Sequence, residues 1–298
     1  MERVSRRRTH SPLSVTLSPD NDAALVVPDD GLYTPTIKPH SLEKLRAHNR
    51  FARMFATSMR NKWPELAYVG LYAGAGHARL DGTDTIIQTS ALSVLRQPHL
   101  FKHYVFVEND ERCVVALSQR WKLVAQAADV EIIPKEVTAS IADVQATLPP
   151  EKGSLLFCFV DPFSTGLPFK TIKALSDRRV DFLILLMLGN DARRNFEDYF
   201  WDPTSNRIAE FVDRPDWREA YKQDGQPVRF VLRSFDEAMQ RAGYPTARNK
   251  VHPIYANGTK VLQYMLAFYS KNPFGMELWQ KCMKSLKRLD SQTSLELE

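Results

Sequence analysis

Through the middle of the chain, short apolar runs alternate with stretches in which apolar residues recur every three or four positions. The runs at 67–72, 103–108, 130–134, 155–160 and 181–188 are dense in Val, Ile, Leu, Phe and Tyr and too short for helices, so they predict strands. Between them, 91–96, 111–127, 141–148 and 168–176 carry helical spacing. Strands apolar on both faces and separated by helices predict a doubly wound, mostly parallel α/β sheet. Ahead of the first strand, Leu42, Leu45, Ala52, Phe55, Met59 and Trp63 recur at helical intervals behind Ser41, a capping residue, with Glu43 in the first turn. An amphipathic helix is expected there.

Residues 189–250 break the alternation with mixed-charge helical sequence, including Trp201, Trp217 and the patterned stretch 228–241, and read as a helical insertion covering the carboxyl edge of the sheet. Two β-rich runs then follow, 251–256 and 260–270, joined by Asn257-Gly258. Asn-Gly between such runs predicts a tight hairpin, because both central residues of a type I′ turn need positive φ. Five parallel strands finished by an antiparallel pair make the seven-stranded sheet of S-adenosylmethionine (SAM)-dependent methyltransferases. A last helix is expected at 274–288 and a frayed tail at 291–298. Residues 1–35 are rich in Ser, Thr, Pro and Asp with few aromatics, a composition that predicts a flexible arm. The expected division is therefore a basic arm, 1–40, and one folded domain, 41–290.

Composition narrows the class. With 44% hydrophobic and 25% charged residues, the 298-residue chain matches a globular domain large enough to bury a core. No apolar run approaches the length of a membrane span and the N-terminus lacks the apolar core of a signal peptide, so a cytoplasmic location without a membrane partner is expected. Cys113, Cys158 and Cys282 have no zinc-like spacing, and neither metal nor disulfide is expected. The charge is uneven: residues 1–62 hold eleven basic and six acidic side chains, the whole formal excess of +5. Arg6, Arg7 and Arg8 are open to two readings, phosphate contacts or a solvated arm.

The chemistry concentrates at strand ends. The first strand runs into LAYVGLYAGAG, where Tyr72, Ala73, Gly74 and Gly76 form a small-residue turn. Such a turn suits a nucleotide-like cofactor approaching the backbone, or else simply allows close packing. A dinucleotide site would place a third glycine where Arg79 stands, and an acid about 20 residues on. The acid at the end of the second strand, Glu108, instead follows Gly76 by 32 residues. That favours a SAM turn, with Glu108, beside Asn109, accepting from ribose hydroxyls; a solvated strand end is the other reading. Glu136 and Val137 follow the third strand, where an acid can read the adenine amino group or merely occupy a charged turn. The fourth strand ends in Asp161-Pro162-Phe163. A polar residue and proline there resemble the motif with which amino-group methyltransferases orient the acceptor nitrogen, while the ring can stack on a base. The other reading is that Asp161-Pro162 simply ends the strand, since proline cannot continue a ladder. Lys44, Asn190, Arg193 and Arg194 complete the candidates, as substrate contacts. The stretch DPFSTGLPFKTIKAL also resembles the Asp-Pro-Phe-Gly segment of tRNA guanine N2-methyltransferases, with Ser164 in place of glycine.

In order and spacing, FARMFATSMRNKW, YVGLYAGAG, YVFVEND, FVDPFSTGLPFKTIKALS, VDFLILLMLGNDARRN, DRPDWREAY, AGYP and YMLAFYSKNPFGMELW resemble the three-Cys-motif partner (TcmP) family, members of the Rossmann-like SAM-dependent methyltransferase superfamily. The resemblance implies SAM as cofactor and a neighbouring radical-type iron–sulfur protein as partner. The chain departs from the family where Gly70 replaces an aspartate, Ala75 a proline, and Glu136 and Thr138 an Asp and an Asn. The loss at position 70 removes an acidic partner for the methionine amino group or the loop amides.

Two functions follow as expectations. One is SAM-dependent N-methylation of a nucleobase amino group in nucleic acid or a nucleotide. The other is a non-catalytic or partner-dependent scaffold of the same fold, working with the iron–sulfur protein.

Overall fold

A computed structural model describes residues 24–97, 100–189, 195–245, 251–256 and 259–295. In chain order the elements are β1 (Val26–Val27), β2 (Thr36–Ile37), α1 (Ser41–Met59), β3 (Glu65–Leu71), β4 (His77–Leu80), β5 (Ile86–Gln88), α2 (Ser90–Leu95), β6 (His103–Val107), α3 (Glu111–Val124) and β7 (Asp129–Ile133). Then come α4 (Ile141–Thr147), β8 (Ser154–Val160), α5 (Phe169–Ser176), β9 (Val180–Leu186), α6 (Phe196–Trp201), α7 (Arg207–Val212), α8 (Trp217–Asp224), α9 (Pro227–Arg241), β10 (Val251–Tyr255), β11 (Leu262–Tyr269) and α10 (Pro273–Leu295).

The main sheet has seven strands in the order β10-β11-β9-β8-β3-β6-β7. β3, β6, β7, β8 and β9 pair in parallel, and β11 runs antiparallel to both β9 and β10. This is the Rossmann-like fold of the SAM-methyltransferase superfamily, with the reversed strand that its terminal hairpin creates. β8 and β9 are buried along their whole length, which is why they read as unbroken apolar runs. α1 drives Phe51 and Phe55 onto Phe157 of β8, and Phe51 also meets Phe268 of β11 and Trp279 of α10. On the opposite face Phe235 of α9 meets Phe169 of α5 and Tyr269 of β11.

Three expectations are corrected. Residues 24–40 are not a flexible arm: β1 and β2 join β4 and β5 in a separate four-stranded sheet, ordered β1-β5-β4-β2. Its centre is the β4–β5 hairpin, with Gly82 at φ +75° in the turn, so the glycine turn after β3 opens into a hairpin and not a helix. The region 189–250 does not merely cap an edge: α9 packs on a face of the sheet through Phe235 and Tyr269, while the start of α7 reaches the segment after β8, where Arg207 donates to Ser164 at 3.1 Å. Finally, α10 continues through 291–295 instead of fraying at 291. Asn257-Gly258 and residues 1–23 lie outside the described residues. No helix among the described residues is long and apolar enough to cross a membrane.

Candidate cofactor and acceptor cleft

The carboxyl ends of β3, β6, β8 and β9 open into a cleft of about 580 Å³, within the size range of small-molecule sites. Its floor begins at the end of β3, where Ala73 donates its amide to Val107 of β6 at 3.0 Å. Tyr72 sits there at φ +64°, a conformation an aromatic side chain adopts only under constraint, and burial raises its phenol to about 12. The two glycines after it have different jobs. Gly76, at φ +81°, packs so closely on α2 that a Cβ would lie 2.8 Å from Leu92. Gly74, at φ +70°, faces open space: no atom lies within 4 Å of where its Cβ would be. The packing reading therefore holds for Gly76, which does not line the cleft, while Gly74 does line it.

Glu108 is nearly buried and gathers three backbone amides. Its Oε2 accepts from Gly74 at 2.8 Å, and its Oε1 from Asn109 and Asp110 at 2.9 Å each. One carboxylate thus fixes both the glycine turn and the entry to α3, and these amides take three of its roughly four acceptor sites. This contact also explains the absence of an acid at position 70. A Cβ at Gly70 would lie 3.0 Å from the Phe106 ring and 3.2 Å from the Tyr68 ring, so the place is filled by aromatics and the loop amide is served by Glu108 instead.

At the other end of the cleft, Asp161 of the Asp-Pro-Phe motif meets Lys44 of α1, with Nζ 2.6 Å from Oδ2 and both side chains mostly buried. Residues 117 positions apart are joined here. Behind the pair, His48 Nδ1 lies 3.0 Å from Asn49 Oδ1 and its Nε2 2.8 Å from the Tyr68 hydroxyl; burial lowers the imidazole to about 4 and keeps it neutral. With Nδ1 protonated, Nε2 accepts the Tyr68 proton, and the cluster is self-consistent. Pro162 is buried, while Phe163 is 79% exposed at the cleft mouth. Tyr264 of β11 lines the same end and donates its hydroxyl to Ser41.

Two candidates stand elsewhere. Glu136 is exposed and does not line the cleft: its carboxylate caps the 3-10 turn Val137–Ala139, accepting from the Thr138 amide and hydroxyl and the Ala139 amide. Val137 is buried under that turn. Asn190, Arg193 and Arg194 lie outside the described residues.

The remaining wall comes from residues that local patterning did not single out: Tyr33, Ile37, Lys38 and His40, from the segment between β1 and α1. A signal for its anchor existed. The buried stripe of α3 is Cys113, Ala116, Leu117 and Arg120, so an arginine occupies an apolar position of the helical repeat.

The cleft fits SAM by three observations: the open face of Gly74, the volume, and the buried Thr89 hydroxyl, which lines the cleft with no partner among the described residues. Among the described residues no group of three or more His, Cys, Asp or Glu side chains is placed to hold a metal.

No protein-family model matches the chain, and neither does any curated protein. Solved structures similar to it include protein LPL1258 from Legionella pneumophila, at TM-score 0.45 and 12% identity over 80% of this chain and 90% of that one. Another is magnesium protoporphyrin IX methyltransferase from Synechocystis PCC 6803 with bound SAH (S-adenosylhomocysteine), at TM-score 0.39 and 10% identity over 77% and 86%. The fold assignment stands on the strand order.

Proposed function

We propose that the chain is a SAM-dependent N-methyltransferase acting on a nucleobase amino group in nucleic acid or a nucleotide. One observation carries this reading: a single cleft holds the open face of Gly74, the Glu108 carboxylate and the Asp161-Pro162-Phe163 motif. Tyr72, Ala73, Gly74, Glu108 and Asn109 line the end suited to the cofactor, and the unpartnered Thr89 hydroxyl adds a polar contact. When bound, SAM supplies an electrophilic methyl group on a sulfonium.

The chain's own part is orientation. Lys44 holds Asp161 through Oδ2, leaving Oδ1 to accept from an amine N–H and aim the nitrogen lone pair. Phe163 offers a ring at the mouth on which a base can stack, worth about 1–3 kcal/mol where such stacks have been tested. Pro162 stiffens the turn between them.

The test is a calorimetric titration with SAM and a methyl-transfer assay on bulk tRNA and rRNA. Binding by the parent chain, with transfer abolished in Asp161→Ala and binding retained, is the expected pattern. No heat with SAM, or transfer unchanged in Asp161→Ala, overturns it.

The scaffold reading, with a TcmP-type iron–sulfur partner, is favoured by one feature. Glu108 already accepts from the Gly74 amide, so the turn is held by the chain's own carboxylate. A stable complex with such a partner and no SAM binding by either component alone is the outcome that selects it.

A further inference from the structure

We infer that the segment from Asp29 to Lys38 is the roof of the cofactor end of the cleft, and that Arg120 is the positioning residue that locks this roof to the glycine turn. The inference rests on the SAM reading of the cleft but concerns residues outside the motifs that support that reading.

Arg120 is 2% exposed and its guanidinium is saturated. Nε and Nη2 form a two-pronged pair with the Asp30 carboxylate at 2.7 and 2.6 Å. Nη1 donates to the carbonyl of Tyr33 at 2.9 Å and to the carbonyl of Ala75, inside the glycine turn, at 2.8 Å. Nη2 also reaches the Thr34 hydroxyl at 2.9 Å. One side chain from α3 therefore holds the roof and the turn at once. The roof is also fastened at its ends, by Arg79 to Asp29 at 2.8 Å and Lys38 to Asp81 at 2.6 Å. Tyr33 is pinned over the Arg112 guanidinium at 4.2 Å. Tyr33, Ile37 and Lys38 line the same cleft as Gly74 and Glu108, so a ligand touching Gly74 lies beneath them. A bidentate arginine–carboxylate pair is the strongest of these fastenings and the one that must open for exchange.

Asp30→Asn keeps the shape of the side chain but turns an amide toward the guanidinium donors, breaking one prong. Arg120→Lys keeps the charge and loses the fork. The probe is SAH, followed by stopped-flow fluorescence, with Asp143→Asn as the control, since it removes an exposed pair with Lys135 (2.7 Å) that does not line the cleft. In both roof variants, association and dissociation are expected to speed up together, by about tenfold or more for loss of a charge-assisted hydrogen bond. A merely structural role lowers the folded fraction but leaves both rates of the folded protein unchanged, and that result overturns the inference. Hydrogen exchange of the ligand-free protein supplies the second readout: amides of 74–76 should exchange faster in Asp30→Asn, and unchanged exchange overturns the coupling. If the parent chain binds neither SAM nor SAH, the methyltransferase reading fails by itself, and the exchange measurement alone decides whether roof and turn are locked.

Discussion

The two sheets of this molecule are held by different physics. The seven-stranded sheet is a layered apolar core, in which Phe51, Phe55, Phe157 and Phe268 interlock and β8 and β9 are buried end to end. The four-stranded sheet has strands of two to four residues and a small core around Ala24, Leu45, Leu80 and Ile87. Ion pairs join its own segments, Arg79 to Asp29 and Lys38 to Asp81, and one buried arginine, Arg120 of α3, ties it through Asp30 to the rest. The cleft lies where they meet, so it has a floor set by packing and a roof set by charge. The difference teaches that the two halves of one site should respond to different perturbations.

The largest effects belong to the floor. Phe157→Ala should cost about 3–5 kcal/mol in urea unfolding, the range for emptying a fully buried aromatic site. Gly76→Ala combines a left-handed backbone with a 2.8 Å contact to Leu92 and should cost about 2–4 kcal/mol. Gly74→Ala carries only the backbone term, about 1–2 kcal/mol, yet should lower SAM affinity more than Gly76→Ala does, because its Cβ enters the cleft. Equal affinity losses in the two variants would erase the distinction between a packing glycine and a cofactor glycine.

Acidity should separate the two sheets. Asp181, in the main sheet at the amino end of β9 and away from the cleft, is almost fully buried and its carboxyl is raised to about 7 by desolvation. The folded state holds that proton more tightly than the unfolded chain, so stability falls as pH rises from about 4 to 7. Asp181→Asn should flatten that slope in urea titrations. The roof behaves oppositely. Arg120 lowers Asp30 to about 2, so its contribution is present above about pH 4 and lost as pH falls toward 2. Burial, aided by Arg120, lowers His77 to about 4, so between about 6.5 and 4 acid favours the unfolded chain, which binds the proton first. Protection of the roof amides against hydrogen exchange, taken relative to the intrinsic rate at each pH, should therefore fall on acidification before global unfolding. The smallest effect is expected of Asp81→Asn, an exposed partner of Lys38, whose melting temperature should match the parent chain at high salt.

The same contrast explains what was legible in the sequence. The main sheet was readable because its apolar runs alternate with helical spacing, and the antiparallel final pair followed from Asn257-Gly258 between the β-rich runs 251–256 and 260–270. The small sheet was not, because two-residue strands have no period. The Asp81-Gly82 dipeptide between apolar residues was nonetheless a hairpin signal, and Arg120 on an apolar stripe marked a buried partner. In the cleft, Gly74, Glu108 and Asp161 were found from strand ends, since an α/β fold collects those ends at one edge. Glu136 sits at such an end too, but its carboxylate turns back to cap its own backbone, a choice that position alone does not reveal. The pairing of Lys44 with Asp161 joins α1 to β8 and has no local signature.

The central claim is that the cleft under this roof is a SAM site. A crystal structure of the chain grown with saturating SAH tests it most directly. The account predicts adenosine density in contact with Gly74 and Glu108, beneath Tyr33, with the sulfur end directed toward Asp161. Density for SAH elsewhere on the molecule, or an empty cleft at saturation, would contradict it.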